Sequence, residues 1–128
     1  ENLLFSVIEE LLEKPEYSAF GCAAHVSLVT LVKDFSILEH DEAHYAQNPL
    51  THVDFLLFHQ MDKRPLLAIE VDGTAFHNAG SKQAARDERK NQILKKCNLP
   101  LLRLRTDGSG EREKIEDALK GITGMQHI

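Results

Sequence analysis

The sequence predicts an α/β sandwich built on a mixed four-stranded sheet. Two observations support this prediction: amphipathic helical segments alternate with short apolar segments, and a strand–helix–strand unit occurs in the second half. Such a crossover normally makes its two strands parallel neighbours. The chain has 128 residues, of which 42% are hydrophobic and 27% charged, which is the composition of one globular domain.

The first half of the chain contains one clear helix. Apolar residues recur at helical spacing from Leu3 to Leu12, and this helix is expected to end before Pro15. Residues 22–38 fit a short strand followed by a turn or a helical bend, although their apolar residues follow neither the strand period nor the helix period regularly. Residues 39–49 contain three acids, two histidines and an Asn-Pro pair, and are expected to form a surface loop.

The second half contains the remaining elements. Residues 51–59 and 66–71 are short and apolar and are separated by a polar turn, so they predict a hairpin of largely buried strands. Strong helix formers fill 81–96, and 100–105 alternates as a strand. Apolar residues on one face of 111–122 predict a final helix.

Composition excludes several classes of protein. No apolar run approaches the roughly 20 residues that a membrane helix needs, and the first residues lack the basic region of a signal peptide. Cys22 and Cys97 form no C-x-x-C motif, which argues against a structural zinc or a disulfide scaffold. We therefore expect a soluble, cytoplasmic protein. Helix-like sequence at residue 1 without an initiator methionine indicates a domain excised from a longer chain.

Charge is distributed unevenly along the chain. The net charge is −5, but residues 1–62 carry 2 Lys and Arg against 11 Asp and Glu, whereas residues 63–128 carry 13 against 9. An acidic half that faces a basic half can form a polyanion site with a metal-binding acidic centre. A solvated, charged helix would give the same distribution, so both interpretations remain open.

Three acidic residues lie in or at the end of the hairpin strands. Asp54 is in the middle of the first strand, and Glu70 and Asp72 are at the end of the second. An unpaired buried carboxylate is costly, so something must compensate these charges. If the strands pair, the three carboxylates can converge on one face and bind Mg²⁺ or Mn²⁺. Alternatively, each acid forms an ion pair with a neighbouring Lys or Arg.

One histidine lies where it could act in catalysis. His77 follows Asp72 by five residues, on the loop that leaves the acidic strand. An imidazole beside a metal can act as a general base. The other six histidines are expected to be surface or structural residues. His40 and His44 are four residues apart, but even on a helix they would supply only two ligands of a metal site.

Basic residues near the carboxyl end are candidates for binding nucleic acid. Lys82, Arg86 and Lys90 recur at intervals of four, so they share one helix face and can contact phosphate oxygens. Arg103 and Arg105 alternate with leucines and share one face of the last strand. These two arginines either line a nucleic-acid groove or simply lie at an edge of the sheet.

Four motifs follow one another from Val53 to Arg105: VDF, LLAIEVDG, FH and QAARDERKNQILKKCNLPLLRLR. Together they resemble the very-short-patch-repair-like branch of the PD-(D/E)XK nuclease superfamily. The resemblance implies a restriction-endonuclease-like fold and a Mg²⁺- or Mn²⁺-dependent hydrolase that cleaves DNA phosphodiester bonds in repair, recombination or defence. It also implies a cytoplasmic domain of bacterial type that acts on DNA, alone or fused to a helicase. Asp54 and Glu70 would hold the metal.

The chain departs from the superfamily pattern at one position. The lysine expected two residues after Glu70 is Asp72 here. Two replacements for the missing lysine are open: His77 acts on the water while Asp72 is a further metal ligand, or Lys90 or Lys82 supplies the positive charge from the helix. A third reading is a module that binds nucleic acid or protein without catalysis.

Overall fold

Four strands form one mixed sheet in the order of the chain. The first two strand pairs are antiparallel, and the third pair is parallel. This topology confirms the α/β class, the hairpin and the parallel crossover expected from the sequence. The strands are β1 (Phe20–Ser27), β2 (His52–His59), β3 (Pro65–Asp72) and β4 (Leu101–Arg105).

Helices flank the sheet. The structure, a computed structural model, describes residues 2–72, 82–105 and 110–126. None of the helices in these ranges is long and apolar enough to cross a membrane. Single 3₁₀ turns lie in the connections, and the helices are α1 (Asn2–Leu12), α2 (His40–Gln47), α3 (Lys82–Lys96) and α4 (Glu111–Gln126).

The sheet separates two hydrophobic cores. On one face, α1 and α4 pack against the strands through Ile8, Leu11, Ile115 and Leu119. On the other face, α2 and α3 contribute Ala46, Ile93 and Leu94, together with residues of the segment between β1 and α2. Burial of these apolar side chains from water is the main term that stabilises the sandwich.

Both cysteines pack against these cores. Cys22 contacts the α1–α4 core and Cys97 contacts the α2–α3 core. Burial raises the pKa of the Cys22 thiol to about 12 and also raises the pKa of Cys97. Both residues are therefore thiols at neutral pH rather than reactive thiolates.

The prediction of a surface loop at 39–49 is wrong, because most of it forms α2. The helix begins with a capping interaction in which the backbone N–H of Glu39 donates to Glu42 Oε1 at 2.8 Å. Glu42 is buried and also binds Lys96 Nζ of α3 at 2.6 Å. The apolar pattern did not predict this helix, because Ala46 is the one fully buried apolar side chain that the structure describes in α2.

Glu42→Ala should lower the free energy of unfolding near neutral pH by about 1 kcal/mol, because it removes a helix cap. Hydrogen bonds from Lys96 and from the Glu39 N–H hold the pKa of Glu42 below its usual 4.5. The stabilisation by Glu42 is therefore present above that pH and is lost as the pH falls through the lowered pKa.

Urea denaturation of both proteins near neutral pH and in acid measures this effect. The difference between wild type and Glu42→Ala should shrink in acid. Glu10→Ala is the matched control, since Glu10 pairs with Arg112 at the exposed surface and should contribute little. An equal loss of stability in the two variants would contradict the assignment.

Candidate functional site

A row of polar residues crosses the sheet on the face covered by α2 and α3. The strand pairings on either side of His25 place it opposite Asp54. The register of β2 with β3 places Asp54 opposite Glu70, and Glu70 is paired with Arg103 of β4. Each strand therefore contributes one polar residue to a single row across the sheet.

Two carboxylates of this row bind the backbone of each other's strand. The backbone N–H of Asp54 donates to Glu70 Oε2 at 3.0 Å, and the N–H of Val71 donates to Asp54 Oδ2 at 2.7 Å. Regular pairing of β2 with β3 reaches Phe55 and Ile69, so these side chains continue the connection where the ladder stops. The carboxylates are consequently held in fixed positions relative to each other.

Lys90 of α3 brings a positive charge to the carboxylate pair. Its Nζ donates to the Glu70 carboxylate and, at 2.8 Å, to the backbone carbonyl of His52. The side chains of Glu70 and Lys90 are only 6% and 14% exposed. Burial raises the pKa of Glu70, the hydrogen bond and charge of Lys90 oppose this shift, and Asp54 adds to it.

Arg103 forms the centre of a second hydrogen-bonded group. Its Nη1 donates to Asp72 Oδ1 at 2.8 Å, and its Nε and Nη2 both donate to Asn91 Oδ1, at 3.1 and 2.7 Å. Nη2 also reaches the backbone carbonyl of Asp87 at 3.2 Å. These contacts fix the end of β3 against α3.

Two of the three acids that were predicted to converge have a cationic partner. Glu70 is bound by Lys90 and Asp72 by Arg103, which is the ion-pair alternative for these two residues. Asp54 differs, because the ion-pair candidate that the described residues offer it is His52, whose Nε2 lies 4.0 Å from Asp54 Oδ1. Asp54 Oδ2 accepts the Val71 N–H, and Oδ1 is the oxygen that faces His52.

A polar cleft of about 850 Å³ opens at this end of the sheet. Arg86 is exposed and lines it, whereas Lys82 and Arg105 are exposed but are not among the described residues that form its walls. His77 falls in 73–81, outside the described residues. The sequence-predicted residues on the cleft wall are Asp54, Glu70, Asp72, Arg86, Lys90 and Arg103.

Sequence reasoning missed two histidines of the site. His52 and His25 lie with Asp54 in the one group of three metal-ligating side chains, within the described ranges, whose ligand atoms are all within 4.8 Å of one another. His52 precedes Asp54 by two residues on a strand, so its place on the same face could have been inferred. His25 gave no such signal, because its neighbour across the sheet depends on strand pairing.

Comparisons with known proteins place the chain in a family. The comparison with curated proteins gives no match, and neither does the comparison with solved structures. A model of the family described as "Protein of unknown function (DUF2726)" matches residues 1–122. This range contains all four described strands and the polar row that crosses them. Since the match covers far more than half of the sequence, the chain belongs to the DUF2726 family.

Proposed function

We propose that the protein is a divalent-metal-dependent nuclease that hydrolyses DNA phosphodiester bonds at the Asp54–Glu70 pair. The observation that carries the proposal is the convergence of these two fixed carboxylates and the Lys90 ammonium on the wall of one polar cleft. Two acids and a cation at one point are the groups that metal-assisted phosphoryl chemistry requires. The resemblance to PD-(D/E)XK nucleases supports the same assignment.

The carboxylate pair fits a hard divalent ion. Mg²⁺ is commonly bound through one or two carboxylates, with water and phosphate oxygens completing its shell. Asp54 and Glu70 lie at neighbouring positions of adjacent strands, and each of their bonded oxygens keeps a second lone pair. A bound ion would supply charge neutralisation at the phosphate and activation of the attacking water. Mn²⁺ suits the same oxygen ligands.

Lys90 takes the place of the lysine that the superfamily pattern expects on β3. Asp72 occupies that position and is bound to Arg103, so it offers no positive charge to a substrate. Lys90 reaches the Glu70 carboxylate from α3 instead. In the proposed reaction Lys90 orients Glu70 and stabilises the negative charge that develops on the phosphate oxygens. This supports the interpretation that the lysine has moved to the helix.

The affinity for DNA is expected to be modest, because only a local part of the surface is basic. The net charge is −5, so the surface as a whole does not attract a polyanion. Arg86 on the cleft wall is placed to bind phosphate, whereas the charge of Arg103 is compensated by Asp72. Targeting would then come from a helicase or another domain of the same polypeptide.

Arg86→Gln should weaken DNA binding about threefold. It should also lower the slope of log affinity against log salt concentration by about one, because binding with one charge fewer releases one counterion fewer. Arg89→Gln is the matched control on the same helix. Arg89 lies over the ring of Tyr45 and 3.7 Å from Asp41, so it already has partners. Binding is measured by fluorescence anisotropy in Ca²⁺ at several salt concentrations. Equal effects of the two substitutions would contradict the placement of Arg86.

A cleavage assay tests the function itself. Supercoiled DNA and labelled linear single- and double-stranded DNA are incubated with the protein in Mg²⁺, in Mn²⁺ and in EDTA. The proposal expects cleavage with either ion, none in EDTA, and recovery when the ion is restored. Failure to cleave any of these substrates, together with no binding of Mn²⁺ by calorimetry, would overturn it.

A second candidate is a module that binds nucleic acid or protein without catalysis. The ion pairs Glu70–Lys90 and Asp72–Arg103 favour it, because they compensate two of the acids without any metal. Such a module would bind DNA equally well in EDTA and in Mg²⁺, and would leave it intact.

A further inference from the structure

We propose that His25, His52 and Asp54 form a binding site for a transition-metal ion of the Zn²⁺ class. The ligand atoms of the three side chains lie within 4.8 Å of one another. Two imidazoles and one carboxylate are a ligand set that Zn²⁺ and its neighbours in the first transition row prefer, whereas Mg²⁺ prefers oxygen ligands alone. The site shares Asp54 with the proposed nuclease centre, but the inference rests on the two histidines beside it and is tested by ion binding, not by cleavage.

The hydrogen bonding of His52 leaves the correct nitrogen for a metal. Its Nδ1 lies 3.1 Å from the backbone carbonyl of Leu50, which can only accept, so Nδ1 carries a hydrogen. Nε2 faces Asp54 Oδ1 at 4.0 Å. In the neutral imidazole with a hydrogen on Nδ1, Nε2 carries a lone pair. A cation bound between this lone pair and the Asp54 carboxylate would be stabilised by both groups. Metal-binding histidines are typically held in this way, with the second ring nitrogen donating to a carbonyl.

The backbone conformation of His25 is a second and independent observation. His25 has φ of +54° in the interior of β1, and the two other non-glycine residues with positive φ, Lys63 and Asn98, lie outside the strands of the described chain. A residue other than glycine is strained in the left-handed region and is retained there where other interactions determine its conformation. In this conformation the centroid of the His25 ring lies 5.0 Å from the centroid of the His52 ring, and the two ring planes make an angle of 53°.

The spacing of the ligand atoms suits a small ion after minor adjustment. Bonds of about 2.0–2.1 Å in tetrahedral geometry separate neighbouring ligand atoms by about 3.3 Å. The distance of 4.0 Å between His52 Nε2 and Asp54 Oδ1 is therefore slightly too long, and a small rotation of the partly exposed His52 ring can close it. His25 lies at the exposed side of the group, while Asp54 is held by the Val71 N–H.

The test is a titration of the metal-free protein with Zn²⁺, against a chromophoric chelator, and with Co²⁺, whose visible absorption reports tetrahedral nitrogen and oxygen ligands. We expect one tight site. His25→Asn removes the imidazole at a position whose backbone asparagine tolerates, and should weaken Zn²⁺ binding by about tenfold or more. His52→Gln should do the same.

A further variant separates this site from the other histidine pair. His44→Gln removes one member of the exposed His40–His44 pair on α2 and should leave the affinity for Zn²⁺ unchanged. The proposal is overturned if wild type binds no Zn²⁺, if His25→Asn binds it as tightly as wild type, or if His44→Gln loses the site.

Discussion

Asp54→Asn is expected to lower the rate of metal-dependent DNA cleavage by about 10³-fold, with little change in stability. The substitution keeps an oxygen that can accept the Val71 N–H but removes the negative charge that would bind the ion. Metal ions contribute several kcal/mol to such reactions, and each 1.36 kcal/mol is a factor of ten in rate. Initial rates of plasmid nicking in Mg²⁺ and Mn²⁺, with thermal denaturation of both proteins, measure the two effects.

Asp62→Asn is the matched control for Asp54→Asn. Asp62 is an acid of the turn between β2 and β3, and its Oδ1 accepts the Arg64 N–H, which an asparagine oxygen can also accept. It does not line the cleft with Asp54, so its substitution should leave the cleavage rate unchanged. A folded Asp54→Asn protein that cleaves as fast as Asp62→Asn would exclude Asp54 as a metal ligand.

Lys90→Met is expected to lower the free energy of unfolding near neutral pH by about 3 kcal/mol and to abolish cleavage. Removing one partner of a buried ion pair leaves the other charge uncompensated. Here the remaining charge is the buried carboxylate of Glu70. Lys95→Met on the same helix is the control, since Lys95 is exposed and its side chain does not reach the carboxylate pair.

The pH dependence of Lys90→Met follows from the direction of the Glu70 shift. Burial raises the pKa of Glu70 above its usual 4.5, and loss of Lys90 should raise it further. A group with a raised pKa contributes stability below its unfolded-state pKa and loses it as the pH rises through the folded-state pKa. The deficit of Lys90→Met should therefore be largest near neutral pH and shrink in acid.

A double variant separates the two roles of Lys90. In Lys90→Met/Glu70→Gln the buried charge is gone, so urea denaturation should show most of the lost stability restored. Cleavage should remain absent, since both the ammonium and one carboxylate are missing. If the double variant is as unstable as Lys90→Met alone, the instability does not come from an uncompensated Glu70.

Strong local patterns made much of the fold predictable. The apolar face of α1, the two short apolar segments of the β2–β3 hairpin, and the helix formers of α3 each matched their elements closely in position. The parallel pairing of β3 with β4 followed from the crossover rule. In contrast, α2 was missed because its stability comes from Glu42, which is both cap and ion-pair partner, and not from an apolar stripe.

The site was predictable in part, for a related reason. Asp54 and Glu70 stood out as single acids in apolar strands, and strand pairing brought them together as expected. Lys90 was one of several helix cations, and the sequence did not distinguish it from Lys82 as the group near Glu70. His25 could not be recognised, because its position opposite Asp54 depends on the register of β1. Non-local pairing decides such contacts, and it leaves little trace in one sequence.

The hydrogen bonds between carboxylates and backbone at the end of β2 and β3 make the site observable without any substrate. The amide hydrogens of Asp54 and Val71 are bonded to titratable side chains, not to carbonyl oxygens. Their exchange with solvent deuterium therefore depends on the ionisation and ion occupancy of Glu70 and Asp54, as well as on local opening of the sheet. These two amides are thus spectroscopic reporters for every ion or ligand that reaches the cleft.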